Sequence, residues 1–211
     1  MIVKFFKYSL KNKIFLLIHI FHVLKTQIIY GLRFKSIGGW SSFNKKLYMT
    51  YRVISLGKRV TIGPHARIEG IYHWNKNKYN PHIIIEDGVT IQQRCHIVAA
   101  SELIIGKNSM LAFDVMITDT DHGYSVIGIP ISEQDLVYSK TRIGERCFIG
   151  AGAKILAGTI LGEQCVVGSN AVVRGKFPAF CVIAGSPARV LKRYDEKSES
   201  WQRTDEVGRF L

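Results

Sequence analysis

The first 68 residues contain no aspartate or glutamate; Glu69 is the first acidic side chain, and 13 lysines and arginines precede it. The other 143 residues hold 16 bases and 16 acids, so the formal charge of +13 resides in the N-terminal third. That asymmetry excludes a uniformly cationic protein, and no basic-aromatic motif of a nucleic-acid reader is present. No nucleic-acid partner is expected. Proline is scarce, 5 in 211 residues, and 47% of the chain is hydrophobic, which excludes a disordered or low-complexity chain. Cysteine is scarce as well. Cys95, Cys147, Cys165 and Cys181 form neither a CxxC pair nor a zinc spacing, so no metal site is expected from them. They read as buried free thiols of a reducing cytoplasm.

Long apolar runs are also missing. The longest near the N-terminus, Ile14 to Leu24, would make about 16 Å of helix, roughly half a bilayer core. A transmembrane span is therefore not expected. Thr26-Gln27-Ile28-Ile29 offers no small residue for signal cleavage either. What remains is a basic helical segment, opened by Lys4, Lys7, Lys11 and Lys13. Two readings stand side by side. The segment caps the domain, or residues 1–35 rest peripherally on an anionic membrane, on the inner face of the cytoplasmic membrane.

The dominant feature is a repeat. Ile143, Ile149, Ile155, Leu161, Val167 and Val173 are spaced by six, with glycine directly after four of them, at 144, 150, 162 and 168. Small or β-branched residues follow four positions on: Cys147, Ala153, Thr159, Cys165 and Ala171, with Phe177 as the exception. The same register recurs upstream as Leu56-Ile62-Ile68, Ile85-Ile91-Ile97 and Ile105-Leu111-Ile117. Neither a helix nor a flat strand has a period of six. A short strand and a tight corner, three per coil, does. Aliphatic and small residues then point inward, and glycine or a polar residue takes the corner. Residues 72–84 and 119–142 interrupt the register, and both leave from the third face of their coil. Two loops on one edge of a rigid stack commonly build a site.

On these residues the chain resembles the hexapeptide-repeat acyltransferases over roughly residues 54–193. The resemblance implies an all-β fold, a left-handed parallel β-helix with an N-terminal α-helical segment and a short C-terminal helix. The expected organisation is a basic helical segment over 1–50, a β-helix domain over 51–193, and a tail over 194–211. Ala184-Gly185-Ser186-Pro187-Ala188-Arg189-Val190 is similar to the acetyl-CoA-using branch. Cys95-His96-Ile97 and Asp119-Thr120-Asp121-His122-Gly123 are similar to the O-acetyltransferases of bacterial surface-polysaccharide synthesis. The resemblance also implies a homotrimer, with each site between neighbouring prisms.

Acyl transfer from a thioester needs a base for the acceptor hydroxyl. A neutral imidazole can serve at cytoplasmic pH. His122 matches the catalytic histidine of the family and sits where the second loop departs, with Gly123 supplying backbone freedom. Asp119, Asp121 or Glu102 is placed to orient it, and His96 to touch the acceptor or the base. No serine or cysteine lies beside His122, so direct transfer without an acyl-enzyme is expected, with no metal. Carried over from the family, the acetyl-CoA contacts fall on Ala151, Ser169, Arg174, Gly175, Arg189 and Lys192. Relatives commonly have Thr-Lys where this chain has Arg174-Gly175, which displaces the phosphate-pairing cation onto Arg174, Lys176 or Lys192. The implied acceptor is a sugar or glycan hydroxyl. A free sugar or small xenobiotic is the alternative.

Overall fold

A computed structural model describes residues 10–205 and 208–211; Lys4 and Lys7 lie outside the described residues. The chain winds into a triangular prism whose three faces are sheets of seven, nine and six strands. Within the prism every neighbouring pair of strands is parallel and in register, as a left-handed parallel β-helix requires. The six-residue rhythm becomes columns. Ile62, Ile91, Leu111, Ile149, Val167 and Ile183 stack on one face. Ile68, Ile97, Ile117, Ile155 and Val173 stack on another. All of these are essentially fully buried, each contributing about 1.5–3 kcal/mol.

Corner chemistry divides between two kinds of residue. The left-handed backbone at the corners is carried mostly by side-chain-bearing residues, among them Arg94 (φ 57°), Asn108 (φ 55°), Asp114 (φ 60°) and Asn170 (φ 57°). The glycines after the aliphatic positions serve close approach instead. A Cβ on Gly144 would collide with the carbonyl of Gly162 in the next coil. The four cysteines are free and buried in the prism, and each thiol donates to a backbone carbonyl.

The prism differs from expectation at both ends. Its first coil starts at Ser36, upstream of the expected boundary at 51, with Ser36–Ile37, Ser42–Phe43 and Tyr48–Met49 paired onto the coil below. Ile37, Phe43 and Met49 also follow the six-step rhythm, but a gap in it before Leu56 conceals them. At the other end the expected C-terminal helix is a strand. Ala188–Asp195 runs antiparallel to Cys181–Gly185, and Ser200–Arg203 pairs with it in turn. The last coil stops before its third face, so the amides of Cys181–Gly185 need partners and the core needs a lid. A strand supplies both, with Ala188 and Val190 packed on the core.

The N-terminal segment is helix α1 (Leu10–Lys25), continued by wider and tighter turns to Arg33. The helical run Asn12–Arg33 spans 22 residues, so it is long and apolar enough to cross a membrane by length and composition. The apolar run Ile14–Leu24 understates the helix because Lys25, Thr26 and Gln27 interrupt the run without interrupting the helix. Val23 and Thr26 are buried against the first coil. Thr26 Oγ1 accepts from the Phe43 amide at 3.1 Å, and Gln27 donates to the carbonyls of Gly38 and Ser41.

Candidate active site

Both interruptions of the repeat leave the same edge of the prism, and they meet there. The first is a small hairpin, His73–Trp74 paired with Asn77–Lys78. The second opens with Thr120–His122, paired antiparallel with Leu136–Tyr138. Trp74 Nε1 donates to the Gln134 carbonyl at 3.0 Å, and Asn75 Nδ2 donates to the same oxygen at 3.1 Å. The Leu136 amide donates to the Tyr79 hydroxyl at 3.2 Å. Gln134 also binds the 126–129 segment through its side chain. Two loops far apart in sequence are thereby locked into one unit.

His122 is exposed on that unit, and its ring meets the edge of Trp74 with centroids 4.9 Å apart at 64°. Gly123 does not use a left-handed conformation, contrary to the freedom expected of it. Its missing Cβ lets the Asp135 carbonyl close in, and its amide donates to that oxygen at 2.8 Å.

The three carboxylates considered for His122 have other partners. Asp119 is fully buried and accepts from the amides of Ala100 (2.7 Å) and Ser101 (2.8 Å). Burial raises its pKa, and those amide bonds partly offset the rise. It fastens the root of the second loop to the preceding coil. Glu102 pairs with Lys140 at 3.2 Å. Asp121 pairs with Arg174 at 2.8 Å. Strand alternation explains the split: His122 and Asp121 are sequence neighbours and project to opposite faces of the ribbon. In this structure each of the three carboxylates therefore has a partner other than His122; the sequence shows that a carboxylate is near but not where it points.

His96 stands exposed on the third face, level with Arg67 and Met116. A cavity of about 490 Å3 lies over it, walled by Glu69, Tyr72, His73, Trp74 and Met116. Trp74 is shared: it lines this cavity and touches His122. Sequence reasoning passed over Trp74. The available signal was the aromatic content of the first loop, Tyr72, His73, Trp74 and Tyr79, beside its departure from the same edge.

The residues assigned to the cofactor occupy the lower coils. Ala151 and Ser169 are corner residues in successive coils, where the Asn170 amide donates to the Ala151 carbonyl at 2.8 Å. Arg174 and Gly175 form the next corner, Gly175 at φ 121°. Arg189 and Lys192 lie on the returning strand, with Arg189 beside a cavity of about 230 Å3 that Lys176 and Arg193 also line. The Asp121–Arg174 pair joins this basic region to the His122 ribbon.

Rim loops that carry a histidine, set on a left-handed prism, define the class of hexapeptide transferases. A model of the bacterial transferase hexapeptide, six repeats, matches residues 140–175. A candidate acetyltransferase of Dictyostelium discoideum is 36% identical over 152 residues, covering 69% of this chain and 70% of that protein. The chain belongs to the hexapeptide-repeat acyltransferase family. It is also 36% identical over 128 residues to WbbJ of Escherichia coli, a candidate lipopolysaccharide-biosynthesis O-acetyl transferase, covering 57% of this chain and 65% of WbbJ. The chain spans between half and two-thirds of the length of the first curated relatives it matches. Among solved structures, a maltose O-acetyltransferase from Clostridium difficile is 27% identical, covers 69% of this chain and 72% of its own, and superposes with a TM-score of 0.58.

Proposed function

We propose that this protein is a cytoplasmic, acetyl-CoA-dependent O-acetyltransferase that modifies a sugar hydroxyl in the synthesis of cell-surface polysaccharide, with His122 as general base. The observation that carries the reading is the position of His122: solvent-accessible, braced by Trp74, and tied through Asp121 to basic Arg174. The similarity to WbbJ supports the polysaccharide assignment, and that to the maltose enzyme supports a sugar acceptor.

In this reading His122 takes the proton of the acceptor hydroxyl as its oxygen attacks the thioester carbonyl. The tetrahedral intermediate then collapses, the carbon–sulfur bond breaks, and the imidazolium returns the proton to the departing thiolate. Among the described residues no serine or cysteine is hydrogen-bonded to His122, and in this reading the acetyl group passes directly to the sugar. Ala151, Ser169, Arg174, Gly175, Arg189 and Lys192 hold acetyl-CoA: the corners present backbone to the pantetheine arm, and the basic side chains face its phosphates. His96 and the cavity above it receive the sugar, with Trp74 as an apolar wall. The family's homotrimer would set this edge against a neighbouring prism.

The test is release of free thiol from acetyl-CoA across a panel of free sugars, nucleotide sugars and glycan extracts. His122→Ala should lower kcat by about 100-fold to 10,000-fold. Full activity in that variant would remove the assignment.

A further inference from the structure

Helix α1 and its continuation to Arg33 present an apolar stripe that no other described residue covers. Ile14, Leu17, Phe21, Leu24, Ile28 and Leu32 follow one another at three- and four-residue steps, and each is at least 50% exposed. The helix cannot roll to hide them. Its opposite side is fixed to the first coil by buried Val23, by the Thr26 bond to the Phe43 amide, and by the Gln27 bonds to Gly38 and Ser41.

The surroundings of the stripe have one sign of charge. Arg33, Lys35, Lys45 and Arg52 are exposed around the first coil with no acidic ion-pair partner among the described residues, and no acidic residue precedes Glu69. We infer that helix α1 and the first coil form a seat for an anionic phospholipid bilayer, on which the helix lies flat. A bilayer complements both features, apolar stripe and cationic border. A second copy of the chain would complement only the stripe, since it would bring two acid-free surfaces together. Crossing the bilayer would require residues 23–33 to abandon their bonds to the prism.

The seat also fixes a distance. The helix rests on the first coil, and His122 follows the strand Met116–Thr118 of the fourth. Three strand spacings, each about 4.8 Å, separate the first coil from the fourth, so the strand leading to His122 lies about 14 Å along the prism from the coil that carries the helix. Under the acetyl-transfer reading, on which this corollary alone rests, the hydroxyl modified belongs to a glycan that is carried on lipid and stands off the headgroups.

The experiment is flotation of the full chain with phosphatidylcholine vesicles, with and without phosphatidylglycerol. Binding is expected to the anionic vesicles only, and to weaken as salt is raised. Phe21→Ser with Ile28→Ser should lower partition at least about tenfold, because two large side chains lose their apolar environment. Arg33→Glu with Lys35→Glu should lower it by a similar factor. Thermal unfolding of both variants should match the parent, and transfer to a soluble sugar should be unchanged, which separates failure of the seat from failure of His122 chemistry. Absence of flotation by the parent would overturn the inference. So would resistance to alkaline extraction, which marks a spanning helix, or a lower oligomeric mass in the Phe21→Ser, Ile28→Ser variant, which marks a protein partner.

Discussion

The indole of Trp74 and the imidazole of His122 come from two separate interruptions of one repeat and stand edge to face, 4.9 Å between centroids. Trp74 is also held from behind, through its bond to Gln134. The ring of His122 therefore has a defined wall on a part of the protein that is otherwise loop.

An edge-to-face aromatic pair contributes about 0.5–1.5 kcal/mol, so Trp74→Ala should lower kcat by about three- to tenfold. Trp74→Phe keeps the ring and loses only the bond to Gln134, and should retain most of kcat. Steady-state kinetics of the two variants at equal fold stability checks this.

Asp119 is predicted to support stability rather than chemistry. Asp119→Ala leaves the amides of Ala100 and Ser101 buried without an acceptor, at about 1–3 kcal/mol each. Denaturant unfolding should show a loss of about 2–6 kcal/mol for the two together, and Asp119→Asn, which keeps one oxygen, a smaller one. Below the unfolding transition, kcat of the Asn variant should stay near the parent value.

The Asp121–Arg174 pair is exposed and contributes at most about 1 kcal/mol to stability. Its interest is competition, since Arg174 is also assigned to a phosphate of acetyl-CoA. Asp121→Asn is expected to lower KM for acetyl-CoA by about two- to threefold and to leave kcat alone. A fall in kcat instead would return Asp121 to the role of orienting His122.

His82 provides a pH signature. Partial burial, followed by the charge of Lys35, lowers its pKa, and its Nε2 sits 3.0 Å from Ser55 Oγ. The unfolded chain therefore binds the extra proton first as pH falls through about 6.5. Stability is full above that value and is lost as pH drops through the folded pKa. Thermal melts from neutral pH downward should show a falling Tm, with a shallower slope in His82→Gln.

The thiols should be silent in the native state. Burial pushes the Cys95 thiol up to about 11, and the hydrogen bond with the Cys165 thiol, followed by burial, raises that of Cys147. Ellman's reagent at mildly alkaline pH should find no reactive thiol in the folded protein and all four after unfolding.

Much of this was legible without coordinates. Period six places Ile97 over Ile68 and under Ile117, because a repeat that short dictates which side chain meets the core before any distant contact is made. The common edge of the two loops and the identity of His122 as a candidate base followed from register and motif. What was not legible has one cause. Carboxylates at 102, 119 and 121 look equivalent in sequence, yet they bind Lys140, two backbone amides and Arg174. The C-terminal strand likewise answers to an unfinished edge that no local pattern records.

The sequence by itself determined the prism, since repeated burial of aliphatic side chains at fixed steps admits one way of coiling. Only the tertiary structure decided what surrounds His122. Trp74 lies 48 positions upstream of it, and nothing in the intervening chain encodes their meeting except the stacking of coils that brings both loops to one edge.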